Sequence, residues 1–225
     1  MNDFNYSMIS WLLNRIYWRG TLLNAENLPA QGPAVMVANH LGPLGPIGTA
    51  CSIPQRMYPW IAADMVDREA APEYLRLDFV EPSLKLKPPL SMLIARAISL
   101  ASVPLLTGLG CIPVKHGDPQ ELTASVAVLR EAKLVLVFPE DPALEMDPLT
   151  QMRPFQKGFT RLGELYYDAA GQPLPFYPVA VHGSKQVMAG EAIIFDPVNP
   201  RSVERRRLKH ALEDKIREMY LRLER

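Results

Sequence analysis

One histidine in this chain stands where an imidazole can do chemistry. His40 follows a short apolar run, Ala34 to Ala38, and opens a stretch rich in glycine and proline, Leu41 to Gly48. A run of that length reads as a buried strand, and the stretch after it as a loop. In open α/β sheets ligands bind beyond the carboxyl ends of the strands, so a histidine at that point faces the crevice. Two more short strands end nearby in composition. Cys111 to Val114 is followed by Lys115, and Leu134 to Phe138 by Pro139 and Glu140. A neutral imidazole takes the proton from a hydroxyl as that oxygen attacks an electrophile. His40 is therefore the candidate base, with Glu140 and Lys115 as candidate charged neighbours. Other chemistries have less support. The four histidines, His40, His116, His182 and His210, lack metal-ligand spacing, and no Gly-x-Ser-x-Gly elbow marks a serine hydrolase.

These residues need elements to hold them. Asp118-Pro119-Gln120-Glu121 carries the signature of a helix start, and Leu122, Val126 and Leu129 line one face of the helix that follows. Strand, helix and strand within about thirty residues make a βαβ unit, which points to parallel pairing. A second unit follows, with a helix over Phe155 to Tyr167 and a strand over Phe176 to Val181. Met57 to Ala62 and Ala192 to Phe195 are further candidate strands, and Leu90 to Leu100 is helical in pattern. Asp64 to Pro89, charged and broken by prolines, has no legible pattern. The fold class is α/β: a central, largely parallel or mixed sheet flanked by helices. The expected organisation is a single domain, with an N-terminal amphipathic helix in residues 1–20, an α/β core over 24–198 and a C-terminal helix over 202–225.

Composition narrows the function classes. The chain has 225 residues, with 24 Lys and Arg against 24 Asp and Glu. That balance provides no overall basic field for nucleic acid. Cys51 and Cys111 carry no metal or redox spacing and read as small buried hydrophobes of a reduced, cytosolic chain. The best candidate span, the uncharged run from Ala97 to Val114, is interrupted by Pro104, Gly108, Gly110 and Pro113, which argues against a transmembrane helix. The first helix is aromatic-rich, with Tyr6, Trp11, Tyr17 and Trp18 beside Arg15 and Arg19. Its apolar stripe suits docking on the core or lying in a membrane interface. The segment from Arg201 onward has nine Lys and Arg against five Asp and Glu. It reads as a solvated charged face or a patch for anionic lipid head groups.

Four segments in order, "ENLPAQGPAVMVANH", "GCIPV", "LREAKLVLVFPE" with "RPFQKGFTRLG" after it, and "LPFYPVAV", resemble the motifs of the glycerolipid acyltransferase family, which includes lysophosphatidate and glycerophosphate acyltransferases. The resemblance runs from Asn24 to Val181. It implies that His40 is the general base on an acceptor hydroxyl and that the acyl donor is a thioester, acyl-CoA or acyl-carrier protein, with no bound cofactor. It further implies that Asn39, Lys115, His116, Phe138, Pro139, Glu140 and Lys157 contribute to substrate binding. The expected partners are the donor, a lipid acceptor and the inner face of the cytoplasmic membrane.

The likeness breaks at three places. The family places an Asp five residues after the histidine to orient the imidazole, and here that position is Gly45. Loss of the orienting carboxylate of a serine-protease triad costs on the order of 10⁴ in turnover, so the same logic predicts a weak or dead transferase unless Asp64, Asp67, Glu140, Asp141 or a backbone carbonyl substitutes. The Arg that closes the second motif is replaced by His116, preceded by Lys115. The third motif continues Asp141-Pro142-Ala143 where the family has Gly-Thr-Arg, so a cation is lost and an anion gained. A phosphorylated acceptor would be repelled there, and a neutral hydroxyl acceptor fits better. A non-catalytic, lipid- or acyl-binding relative is the competing reading.

Overall fold

A computed structural model describes residues 3–115 and 119–224, without the side chains of residues 3–5, 9 and 17. In chain order the elements are α1 (Asp3–Leu13), β1 (Thr21–Leu23), β2 (Ala34–Ala38), α2 (Leu44–Ser52) and β3 (Met57–Ala62); then α3 (Ala71–Leu75), α4 (Glu81–Leu84), α5 (Leu90–Leu109), β4 (Ile112–Val114) and α6 (Gln120–Arg130); then β5 (Leu134–Val137), α7 (Arg161–Ala170), β6 (Pro175–Val181), β7 (Gln186–Ala189), β8 (Ile193–Ile194) and α8 (Arg201–Leu223). The fold is α/β, with a mixed, mostly parallel sheet flanked by helices. The chain divides into two compact units. A sheet unit comprises Asn2–Tyr58 with Leu122–Arg225, and a helical unit comprises Pro59–Glu121.

In the sheet unit β2 lies between β5 and β6 and is parallel to both. All five of its residues are buried, as an unbroken apolar run requires when both faces of a strand are covered. β7 and β8 run antiparallel to β6, and β1 closes the edge parallel to β7. Trp18, Met36, Ile53, Leu136, Val179 and Val187 share one core. The C-terminal helix α8 follows the expected stripe, burying Leu208, Leu212, Ile216, Met219 and Leu223. Its basic side chains are largely paired: Arg201 with Asp168, Arg207 with Glu204, Arg217 with Asp147, and Arg222 with Glu218.

In the helical unit β3 and β4 are parallel, in the register Trp60 to Ile112. β4 thus takes β3 as its neighbour, whereas β5 takes β2 and not the strand expected from a simple βαβ step. α3 and α5 pack around Leu75, Val80 and Ala95. The segment Asp64 to Pro89, illegible by periodicity, forms short helical turns: α3, a π-helical turn over Arg76–Val80, and α4. α5 runs unbroken through Pro104 and stops at Gly110, whose φ of 83° closes it. The prolines and glycines of this stretch therefore do not shorten the helix to Leu100. Pro104 deprives only the carbonyl of Leu100 of a partner, and Leu100 is exposed.

The N-terminal helix docks by a different face from the one its stripe suggests. Tyr6, Ser10 and Trp18 are buried, whereas Met8, Trp11, Leu12, Leu13 and Ile16 are exposed. Ser10 Oγ donates to the carbonyl of Ala50, and Trp18 Nε1 donates to Ser52 Oγ. Polar bonds to the end of α2 select the docking face, and the apolar stripe is left outside.

Candidate active site

His40 follows the last residue of β2 by two positions, and its geometry starts from Asn39. That amide is fully buried. Its Oδ1 accepts from the N–H of Val181 at 2.7 Å and its Nδ2 donates to the Val181 carbonyl at 2.9 Å. The side chain thus extends the β2–β6 ladder beyond the backbone. Both of its polar ends are engaged and the side chain is buried, so Asn39 fixes the strand end.

After His40 the backbone turns sharply. Leu41 has φ 39° and Gly42 φ 57°. A leucine in the left-handed region is uncommon and costs strain. The turn closes with the N–H of Gly45 donating to the His40 carbonyl at 2.9 Å, and it brings the Gly42 backbone beside the His40 ring, where its carbonyl favours the protonated form.

Gly45 explains why no aspartate stands there. A Cβ at this position would lie 2.1 Å from the His40 carbonyl oxygen and 2.5 Å from that of Asn39. Both atoms are backbone and cannot swing aside. The start of α2 sits directly on the turn, and only glycine fits.

Glu140 ties this turn to the segment after β5. Its Oε1 accepts from the backbone N–H of His40 at 2.6 Å, and its Oε2 accepts from the backbone N–H of Arg153 at 2.8 Å. Glu140 also pairs with Phe155 in a lone antiparallel bridge, and the Phe155 N–H donates to Glu213 of α8 at 3.2 Å. The carboxylate is thus a positioning group for the His40 backbone. Glu140→Gln would turn an amide NH₂ toward a backbone donor. We expect it to destabilise the sheet unit by about 1–3 kcal/mol, read as a lower denaturant midpoint; an unchanged midpoint would contradict the assignment.

The electrostatics favour a neutral imidazole. The His40 ring is open to solvent at one side and stands edge-on to Phe138, with centroids 5.4 Å apart. Protein crowding its other sides desolvates it and holds its pKa below the ordinary 6.5. Glu140 and the Gly42 carbonyl pull upward, and the Arg153 guanidinium pushes further down. We expect an NMR titration of the ring to give a midpoint below 6.5, raised in Arg153→Gln and lowered further in Glu140→Gln; a wild-type midpoint at or above 6.5 would contradict this. Stability follows the same sign. An unfolded chain takes the proton near 6.5 and the native ring only at lower pH. The contribution is present above 6.5 and lost as pH falls through the native value.

The remaining candidates are spread out. Phe138 and Pro139 flank the site on the segment after β5. Arg153, in the sequence a candidate cation or a solvated side chain, is the cation whose field reaches His40, while its Nε donates to the Leu144 carbonyl at 3.0 Å. Lys157 is exposed at the head of a 3₁₀ turn, Gly158–Thr160. Lys115 follows β4 in the helical unit. His116 and the expected helix cap Asp118 lie outside the described residues. Asp141 Oδ1 caps the N–H of Ala143, and Asp67 those of Glu69 and Ala70, so both carboxylates serve local turns. A cavity of about 550 Å³ opens elsewhere, between Trp11, Asn14, Arg15, Arg19 and Gly20. Burial pushes the Cys51 and Cys111 thiols up to about 11, so neither is a thiolate nucleophile near neutral pH. Among the described residues no group of three or more His, Cys, Asp or Glu is arranged to hold a metal ion. Comparison with known proteins finds no family model and no curated relative that matches the chain.

Proposed function

We propose that this protein is an O-acyltransferase of the glycerolipid type, with His40 as its general base and a neutral hydroxyl compound as its acceptor. One observation carries the reading: an accessible imidazole at the end of a central parallel strand, beside Phe138 and in the field of Glu140 and Arg153, in surroundings that favour its neutral form. In this reading the nearby Gly42 carbonyl takes the N–H of one ring nitrogen and leaves the other free as a base, which is the tautomer the chemistry needs. The acceptor hydroxyl gives its proton to that free nitrogen as its oxygen attacks the carbonyl carbon of an acyl thioester. The C–S bond then breaks, and the departing thiolate takes the proton back from the imidazolium.

A carbonyl supplies the tautomer but not the full charge of an aspartate. The imidazolium that forms is stabilised instead by Glu140, whose negative charge favours the protonated ring. Arg153 opposes that charge and is positioned to favour an anion, whether the developing oxyanion or a donor phosphate. Asp141 argues against a phosphorylated acceptor. The exposed stripe of α1 and the π-helical turn after it, with Trp11, Leu12 and Ile16, supports a peripheral membrane location where an amphiphilic acceptor is available.

A second reading, a non-catalytic acyl- or lipid-binding relative, draws on Gly45 and the missing carboxylate. The test is transfer of labelled acyl groups from acyl-CoA and from acyl-carrier protein to a panel of neutral and phosphorylated hydroxyl compounds. Labelled ester on a neutral acceptor supports the enzyme. No ester on any acceptor, with labelled lipid still bound, supports the binding protein and ends the proposal.

A further inference from the structure

The longest helix of the helical unit is packed inside out for water. α5 has 20 residues, a mean hydropathy of 1.7 and one charge, Arg96. The residues it buries are Ser91, Ala95, Ser99 and Val103. The residues it exposes include Leu93 at 67% and Leu100 at 80%, with Leu90 and Leu105 about half exposed. A helix on an aqueous surface does the reverse. Small residues inward and large apolar ones outward is the arrangement selected when the solvent is lipid. At 100° per residue, the exposed positions from Arg96 round to Leu105 cover about 180° of the helix circumference. A partner helix would cover a narrower strip, whereas acyl chains wet the whole arc.

Most of the polar groups are handled accordingly, Ser102 Oγ being a buried one without a partner. Ser99 Oγ donates to the Arg96 carbonyl and Thr107 Oγ1 to the Val103 carbonyl, each at 2.8 Å. Ser91 Oγ donates to Glu81 at 2.9 Å. Glu81 also pairs with Arg76, which pairs with Glu73. These hydroxyls and charges find their partners within the unit. Lys85 and Lys87 are exposed immediately before α5, beside exposed Leu84 and Leu90. Positive charge at the margin of an apolar face matches anionic head groups.

We propose that the outer half of α5 is a membrane-docking surface, lying in one leaflet of an anionic phospholipid bilayer. α5 lies in the plane of the leaflet, because its inner face rests on α3, which bears Glu73, and on the turn bearing Arg76 and Asp78; a spanning helix would carry those charges into hydrocarbon. The proposal is independent of the transfer chemistry at His40.

Flotation of the full chain with vesicles of phosphatidylcholine, with and without phosphatidylglycerol, tests it. Leu93→Glu/Leu100→Glu/Leu105→Glu should lower vesicle partitioning at least about tenfold, with the far-UV circular dichroism spectrum unchanged. Lys85→Glu/Lys87→Glu should remove the gain that phosphatidylglycerol provides. Undiminished binding by the triple variant, or binding abolished by Leu12→Glu/Ile16→Glu in the N-terminal helical segment with α5 contributing nothing, overturns it. So does a lipid-free dimer that the triple variant converts to monomer, since a second copy would then be the occupant. A milder variant, Leu100→Trp, guards against a misfolded triple variant. Its added fluorescence should be quenched by lipids brominated along the acyl chain, and an unquenched tryptophan on bound protein overturns the proposal.

Discussion

Replacing His40 with alanine should lower acyl transfer by about 10²–10⁴-fold, the range expected when a general base is removed, with little change in stability. The separation between the two effects comes from the geometry. The imidazole is exposed at one side, and the bond that anchors this residue to Glu140 uses its backbone N–H, which alanine retains. The ring's contacts with Phe138 and Gly42 are the ones lost. Steady-state transfer with labelled acyl-CoA, alongside a denaturant melt, reads both quantities. Activity at the wild-type level in His40→Ala would remove the imidazole from the reaction. A large fall in the melt would make His40 a structural group instead. The acid limb of the activity profile should coincide with the His40 titration, and so lie below 6.5 and move upward in Arg153→Gln.

Gly45→Asp is the substitution that the resemblance invites, and it should fail. Restoring the family's aspartate brings a Cβ to within 2.1 Å of a backbone oxygen, so the turn or the start of α2 must move. Overpacking of this kind costs about 1–3 kcal/mol. The carboxylate adds a charge facing two carbonyl oxygens, which themselves repel it. We expect a loss of about 3 kcal/mol or more in stability and a fall in activity, because the displaced turn carries both His40 and the Gly42 carbonyl. Gly45→Ala should already show the steric part, since the clash belongs to the Cβ. If Gly45→Asp melts like the wild type and transfers faster, the turn is more pliable than described and the carbonyl is a poor substitute for the carboxylate.

The departure at Gly45 is visible in the sequence, but its meaning is not. Read along the chain, a missing aspartate signals a lost function. In three dimensions the same glycine is the residue that lets α2 close on the turn, and that turn delivers a carbonyl to the ring. Glu140 shows the same divide. Its place after a buried strand marked it as a neighbour of His40, but not that it would grip a backbone N–H rather than the imidazole. Arg153 was legible as a candidate cation but not as a neighbour of His40, because the segment that brings it there is held through Phe155 by Glu213 of a helix far along the chain.

The sequence by itself determined the buried strands, the α/β class, the stripe of α8 and the position of His40 at the end of β2. These depend on local apolar runs and periodicities, which act over a few residues. The tertiary structure decided which strands are neighbours, which side of α1 and α5 meets protein, and what holds the imidazole. Those outcomes rest on polar bonds and close approaches between segments far apart in sequence, such as Asn39 with Val181, 142 residues away. No periodicity encodes them, because each is a property of two surfaces that meet only after the chain has folded.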